Sequence, residues 1–291
     1  MHKIFITGGC GFIGSHLVEK IFYEFKKSEI IVYDKITYAS HINNLSKILN
    51  SKRLKIVKKD INDTKNLEKH IKGSNLVINA AAESHVDNSY NLNDDFIITN
   101  VLGTKHILDC CKKYKINKII HISTDEVYGE IFKSSFKESS ILNPSNPYSA
   151  SKAAAEMVVN SYTHSYNLPT IIVRSNNIFG TRQHPEKLIP GCCWSIIKKK
   201  TFFLHGNGLN KRSFLFVDDF CNGILKIIKN GKEKEIYNIG SKFEYKNIEI
   251  VKLITKTLGV SFNKFISFTE DRPFNDARYS VDFSKIMKLG W

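Results

Sequence analysis

Residues 4–14 read Ile4-Phe5-Ile6-Thr7-Gly8-Gly9-Cys10-Gly11-Phe12-Ile13-Gly14, an apolar run that stops on a glycine-rich turn. Beyond it, apolar residues return at helical spacing from about Ser15. A short buried strand feeding a helix through such a turn is the opening unit of a parallel α/β sheet. Glycines at 8, 11 and 14 permit a tight turn and let backbone N–H groups approach a diphosphate at the helix N-terminus. A glycine turn alone is weak evidence, because turns use glycine for purely conformational reasons.

Outward from this stretch the context strengthens. The next apolar run, Ile30 to Asp34, ends on an acid twenty residues beyond Gly14. An acid at that point accepts hydrogen bonds from adenosine ribose hydroxyls and repels a 2′-phosphate, so NAD is favoured over NADP. Asp34 could otherwise simply cap a helix. Further runs at Lys55 to Lys58, Leu76 to Ala80, Lys118 to Ser123 and Thr170 to Arg174 alternate with helix-like segments, the longest near Asp94 to Tyr114 and Tyr148 to Tyr166. This alternation predicts an α/β fold, a doubly wound parallel sheet of Rossmann type with helices on both faces. An outer helix face could mediate dimerisation.

After Arg174 the texture changes to short turns, Gly and Asn clusters, and helices near Glu186 to Lys200 and Asn247 to Leu258. A smaller C-terminal substrate-binding lobe is expected there. Residues 1–175 are expected to form the dinucleotide-binding domain, with Phe214 to Val217 and Ile236 to Ile239 returning to its sheet, and 176–291 mainly the second lobe.

Composition narrows the function classes. Lys and Arg total 43 against 28 Asp and Glu, a formal net charge of +15. Arginine occupies only Arg53, Arg174, Arg182, Arg212, Arg272 and Arg278, and the lysine excess is scattered, which suits a solvated surface better than a nucleic-acid face. Six cysteines without C-x-x-C spacing read as buried free thiols, not as a metal site. The first strand begins at Lys3, and no apolar run approaches a membrane span, so a cytoplasmic protein that engages neither membrane nor nucleic acid is expected.

The chemistry concentrates in two pieces. Ile119-Ile120-His121-Ile122-Ser123-Thr124-Asp125-Glu126 is an apolar run ending in two acids, and Tyr148-Ser149-Ala150-Ser151-Lys152 follows. Tyrosine and lysine one helical turn apart can form a base for an alcohol proton, the ammonium lowering the phenol pKa. Two adjacent carboxyls add an acid and a base that a simple alcohol dehydrogenase does not need. On an exposed helix face Tyr148 and Lys152 would be only an i, i+4 pair, and Asp125 and Glu126 could only solvate a strand end.

Together with these motifs, AAESHVDNS at 81–89, STDEVYG at 123–129, NPYSASKAAAE at 146–156, PEKLIP at 185–190 and DRPFNDARY at 271–279 make the chain resemble the extended short-chain dehydrogenases, and within them the nucleoside-diphosphate-glucose 4,6-dehydratases. The resemblance implies that Tyr148, assisted by Lys152 and Thr124, removes the 4-hydroxyl proton while C4 gives hydride to NAD. Glu126 then removes the C5 proton, Asp125 protonates the departing 6-hydroxyl, and hydride returns to C6.

It also implies a cofactor site from Gly8, Gly11, Phe12, Ile13 and Gly14 through Asp34, Lys35 and Thr37. Asp60 and Ile61 lie at the adenine, with Ala80, Ala81, Ala82, Ser84, Thr99, Tyr148, Lys152 and Asn177 completing it. For the nucleotide sugar it points to Ser84, Thr124, Asn176, Lys187, Leu188, Arg212, Asn247, Asp271, Arg272 and Asn275. Arginine offers a planar fork to diphosphate oxygens, although either arginine could instead serve a surface ion pair.

Phe274-Asn275 replaces the Gly-His of many bacterial dTDP-glucose enzymes, so the base stays open between the substrates dTDP-glucose and UDP-glucose. The chain ends at Leu289-Gly290-Trp291, where relatives usually continue, and a reduced second lobe is expected. A homodimer is expected from the resemblance. The alternatives are a sugar-nucleotide 4-epimerase, which would leave the 6-hydroxyl in place, and a non-catalytic dinucleotide- or RNA-binding protein.

Overall fold

The computed structural model describes residues 1–291. Its elements run β1 (Lys3–Thr7), α1 (Phe12–Glu24), β2 (Glu29–Asp34), β3 (Leu54–Lys58), α2 (Thr64–Ile71) and β4 (Leu76–Asn79). Short helices α3 (Val86–Ser89) and α4 (Asn93–Phe96) lead through a π-helical stretch, Ile97–Leu102, into α5 (Gly103–Lys113). Then come β5 (Lys118–Ile122), α6 (Pro147–Tyr166), β6 (Thr170–Ser175), β7 (Asn177–Phe179), α7 (Leu188–Ile197), β8 (Phe202–His205) and β9 (Lys211–Phe216). The chain continues with α8 (Val217–Asn230), β10 (Ile236–Ile239), β11 (Glu244–Lys246), α9 (Asn247–Thr257) and β12 (Ile266–Thr269).

Seven strands form one sheet in the order β10-β6-β5-β4-β1-β2-β3, and all of its pairings are parallel. The near-continuous apolar runs of β1, β4 and β6 follow from burial on both faces. One core joins Leu17, Val18 and Ile21 of α1 with Phe220, Ile224 and Ile227 of α8. The opposite core joins Leu67 of α2, Ile107 and Leu108 of α5 and Val159 of α6. From β1 the chain winds outward through β2 to β3, then restarts at β4 on the other side of β1. A crevice at the carboxyl ends of β1 and β4 results, where ligands bind in open α/β sheets.

Two sequence expectations are corrected. Ile236 to Ile239 does return to the large sheet as β10, but the Phe214 segment does not. It belongs to β9, which pairs with β7 and β11 in a separate three-stranded sheet. Short apolar runs state burial, not pairing partner, and β9 is claimed by β7 as that strand leaves the end of β6. The first helix also begins at Phe12, inside the glycine stretch, with Gly11 as its extended N-cap.

Candidate active site

The glycine loop is fixed by backbone contact. Gly8 has φ +68°, and a Cβ on it would sit 2.8 Å from the Ala80 carbonyl oxygen. A Cβ on Gly14 would come within 2.0 Å of the Gly8 carbonyl oxygen, so only glycine permits this closure. No side chain caps the start of α1 and no acid lies in its first turn, which leaves its leading N–H groups open to an anion. Asp34 Oδ2 accepts from Cys10 N at 2.9 Å and Oδ1 from Ile36 N at 2.7 Å, holding the carboxylate beside the loop. Oδ1 also accepts from Ser40 Oγ at 3.3 Å, and Oδ2 keeps a further lone pair. These features fit a dinucleotide: a cradle that a Cβ would fill, an uncapped helix start and a carboxylate for ribose.

A cavity of about 470 Å³ runs from this loop across the ends of β4, β5 and β6 into the second lobe. Every residue expected at the cofactor and catalytic positions lines it. On the substrate side so do Asn176, Lys187, Leu188, Arg212, Asn247, Arg272 and Asn275, whereas Asp271 does not. Asp271 instead accepts from Asn275 Nδ2 at 2.8 Å and packs where Gly206 lacks a side chain, so it buttresses the wall.

The acids sit on a single turn after β5. Thr124 caps this short 3-10 turn, its hydroxyl accepting from Glu126 N at 3.2 Å. Asp125 is 3% exposed and accepts from Asn176 Nδ2 at 2.7 Å. Burial, then the Glu126 charge, pushes the Asp125 carboxyl up to about 7, with Asn176 and Arg212 opposing. Burial also raises Glu126, but Arg212 and Lys187 pull it back. The pair is thereby split into a carboxyl that holds its proton near neutrality and a neighbour facing two cations, the requirement for separate acid and base.

Tyr148 and Lys152 project from the first turns of α6, whose N-cap Asn146 forms a capping box with Ser149, with Pro147 at the following position. Lys152 Nζ donates to the Ile122 carbonyl at 2.7 Å, and burial lowers the ammonium to about 8. The Tyr148 phenol is raised by burial and by the Glu126 charge, with the Thr124 hydroxyl opposing. Burial and the neighbouring carboxylates raise the phenol, while Lys152 turns to the backbone of β5.

Several groups at the site lie outside the sequence expectations. Asn146 Nδ2 donates to Glu126 Oε2 at 3.3 Å, tying the helix cap to the base; an Asn before Pro147 was the available signal. Asp87 pairs with Arg272 Nε at 2.6 Å, and Tyr90 donates to the Phe274 carbonyl at 2.9 Å. Lys187 Nζ reaches the Ser84 carbonyl at 2.7 Å. The last three contacts join residues 84–90 to residues 187–274, and no local spacing announces them. Arg272 is therefore both a cavity residue and half of an ion pair.

The strand order, the glycine loop and the Tyr-x-x-x-Lys helix define a short-chain oxidoreductase scaffold carrying an extra carboxyl pair. Residues 5–291 match the family model described as GDP-mannose 4,6 dehydratase, and the chain belongs to this family. The dTDP-D-glucose 4,6-dehydratase of Dictyostelium discoideum is 40% identical, over 100% of this chain and 78% of that protein. The trifunctional UDP-glucose 4,6-dehydratase/UDP-4-keto-6-deoxy-D-glucose 3,5-epimerase/UDP-4-keto-L-rhamnose-reductase RHM2 of Arabidopsis thaliana is also 40% identical, over 99% of this chain and 44% of that protein. The crystal structure of DesIV, a dTDP-glucose 4,6-dehydratase from Streptomyces venezuelae with NAD bound, superposes with a TM-score of 0.97 at 38% identity, covering 99% of this chain and 91% of that one.

Proposed function

We propose that this protein is a hydro-lyase that converts a nucleoside-diphosphate glucose to its 4-keto-6-deoxy derivative. The observation that carries the reading is the split carboxyl pair, Asp125 and Glu126, in one cavity with Tyr148 and Lys152. An epimerase on this scaffold needs the tyrosine and the cofactor but has no use for a second acid and base.

NAD, held by Gly8 to Gly14, Asp34 and the Ala80 to Ser84 edge, supplies a hydride acceptor and then a hydride donor within one turnover. Tyr148 acts as its phenolate, favoured by the cationic nicotinamide that NAD would supply and by the Lys152 ammonium, and takes the 4-hydroxyl proton with Thr124 orienting it. The 4-ketone acidifies the neighbouring C–H bond, so Glu126 can remove the C5 proton and return it to C5 when hydride reaches C6. Asp125, protonated near neutrality, gives its proton to the departing 6-hydroxyl. Arg212, Lys187 and Arg272 hold the diphosphate.

The base is uracil or thymine, a difference of one methyl group. Incubation with UDP-glucose and with dTDP-glucose, read by product mass, tests reaction and base together. A product lighter by one water is expected from at least one; unchanged mass with altered stereochemistry overturns the dehydratase reading.

We further infer a homodimer built on the outer face of the Ile97–Leu102 stretch and α6. Ile97, Ile98, Leu102 and Met157 are each 43–52% exposed there, an apolar stripe that a second copy would cover. A cytoplasmic location fits the six free thiols. No helix is long and apolar enough to cross a membrane.

A further inference from the structure

Arg212 is held unusually firmly for a side chain expected to meet a mobile ligand. It is 7% exposed, and its Nη1 donates to the carbonyls of Lys211 and Asp276, both at 2.8 Å. Its Nη2 donates to Asn275 Oδ1 at 3.0 Å. A guanidinium carries five N–H donors in a fixed plane. Nε–H and one hydrogen on Nη2 are therefore left for the cavity, and donors on those two nitrogens can grip a phosphate together.

Beneath the guanidinium lies Tyr279, with the Arg212 Cζ 4.5 Å from the ring centroid. Tyr279 is 4% exposed and lines the cavity, and its hydroxyl bonds to Asp276 Oδ2. The same oxygen accepts from Ser145 Oγ at 2.6 Å. Ser145 immediately precedes Asn146, the α6 cap that reaches Glu126. The ring is thus pinned through a carboxylate, 1% exposed, to the segment that starts the catalytic helix.

We propose that Tyr279 and Asp276 are positioning residues for diphosphate binding: the Tyr279 ring is a platform that fixes the plane of Arg212, and Asp276 fixes the ring. This rests on the reading that Arg212 receives a nucleoside-diphosphate sugar. An exposed arginine loses side-chain freedom when it binds; this one has lost it beforehand, so more of the phosphate interaction survives as affinity. The cation–ring contact, desolvated in this wall, contributes toward the upper end of its range.

The test compares Tyr279→Leu, Tyr279→Phe, Asp276→Asn and the Tyr279→Phe/Asp276→Asn double variant with wild type, using steady-state turnover of UDP-glucose and dTDP-glucose. Calorimetric binding of UDP and of uridine supplies the second readout. Removing the platform in Tyr279→Leu is expected to raise KM about 10-fold and weaken UDP similarly, with kcat within about threefold and uridine affinity unchanged. Tyr279→Phe cuts the tether and should raise KM about threefold, whereas Asp276→Asn reduces it to a neutral hydrogen bond and should raise KM by less. The double variant should be no worse than Tyr279→Phe, because both changes act on one interaction.

A KM within twofold of wild type in Tyr279→Leu, or equal loss of UDP and uridine binding, overturns the proposal. If Tyr279→Leu does not fold, the two tether variants decide: unchanged KM in both, or additive effects in the double variant, refutes it. Wild-type protein that turns over neither sugar nucleotide would instead refute the dehydratase reading, and this inference with it.

Discussion

Asp125→Asn separates stability from catalysis at one atom. In the unfolded chain this carboxyl loses its proton near 3.8, whereas in the folded protein burial and the Glu126 charge delay the loss to about 7. Between those values the folded state binds more protons than the unfolded one. Stability attached to Asp125 is therefore fully present below about pH 4, falls as pH rises, and is gone above about pH 7. At about 1.36 kcal/mol per pH unit, the span corresponds to a loss of about 4 kcal/mol.

An amide at position 125 does not titrate. Its oxygen can still accept from Asn176, and its NH2 group faces the Thr124 hydroxyl that now lies 3.3 Å from Oδ1. The variant should match wild type near pH 4 and exceed it by several kcal/mol at pH 8. With a urea slope near the upper end of about 1–3 kcal/mol per M, as a large chain requires, the midpoints should separate by about 1 M. Urea melts at half-unit steps from pH 4 to 8.5 provide the assay. Dehydration at pH 7 should meanwhile fall by about 10²–10⁴-fold with the loss of the proton donor. A stability difference that stays flat across this pH range would refute the buried, proton-holding Asp125 on which the acid role rests.

Tyr148→Phe is expected to abolish the first oxidation, whereas Glu126→Gln should let NADH absorbance at 340 nm build up in single turnover before a slowed elimination; equal loss of the first hydride transfer in both contradicts the division of labour. Gly14→Ala drives a Cβ to 2.0 Å from the Gly8 carbonyl oxygen, so the loop must open. At about 1–3 kcal/mol for such overpacking, NAD affinity measured by fluorescence quenching should fall about 10–100-fold. Glu156→Gln leaves Arg174, 2% exposed and bonded through Nε to Glu156 Oε1 at 3.0 Å, without its counter-charge. Chemical denaturation should show a loss of about 3–5 kcal/mol.

The parallel sheet, the glycine loop and the acid at 34 were legible because each is a local matter: apolar runs at set intervals, a turn that excludes side chains, a charge at a strand end. The Tyr148–Lys152 pair and the adjacent acids were legible for the same reason, since helical spacing and strand ends place them without reference to anything distant. Even so, the sequence mispaired β9, because a buried strand carries no mark of which neighbour it will bond.

Tertiary structure alone decided the electrical state of these groups. Spacing set Lys152 one helical turn from Tyr148; only the fold encloses the phenol, which raises it, and brings the ammonium to the Ile122 carbonyl. Two neighbouring carboxyls look equivalent on paper. They differ here because Asp125 is more deeply enclosed and Glu126 faces Arg212 and Lys187, side chains about 60 to 90 residues further along the chain. Asp87, Asp276 and Tyr279 take their parts through Arg272 and Arg212, contacts between distant segments that no local pattern relates. Covalent order fixes which chemical groups the chain possesses; burial and long-range packing fix their proton affinities and orientations, and those make a dehydrogenase scaffold suited to removing water.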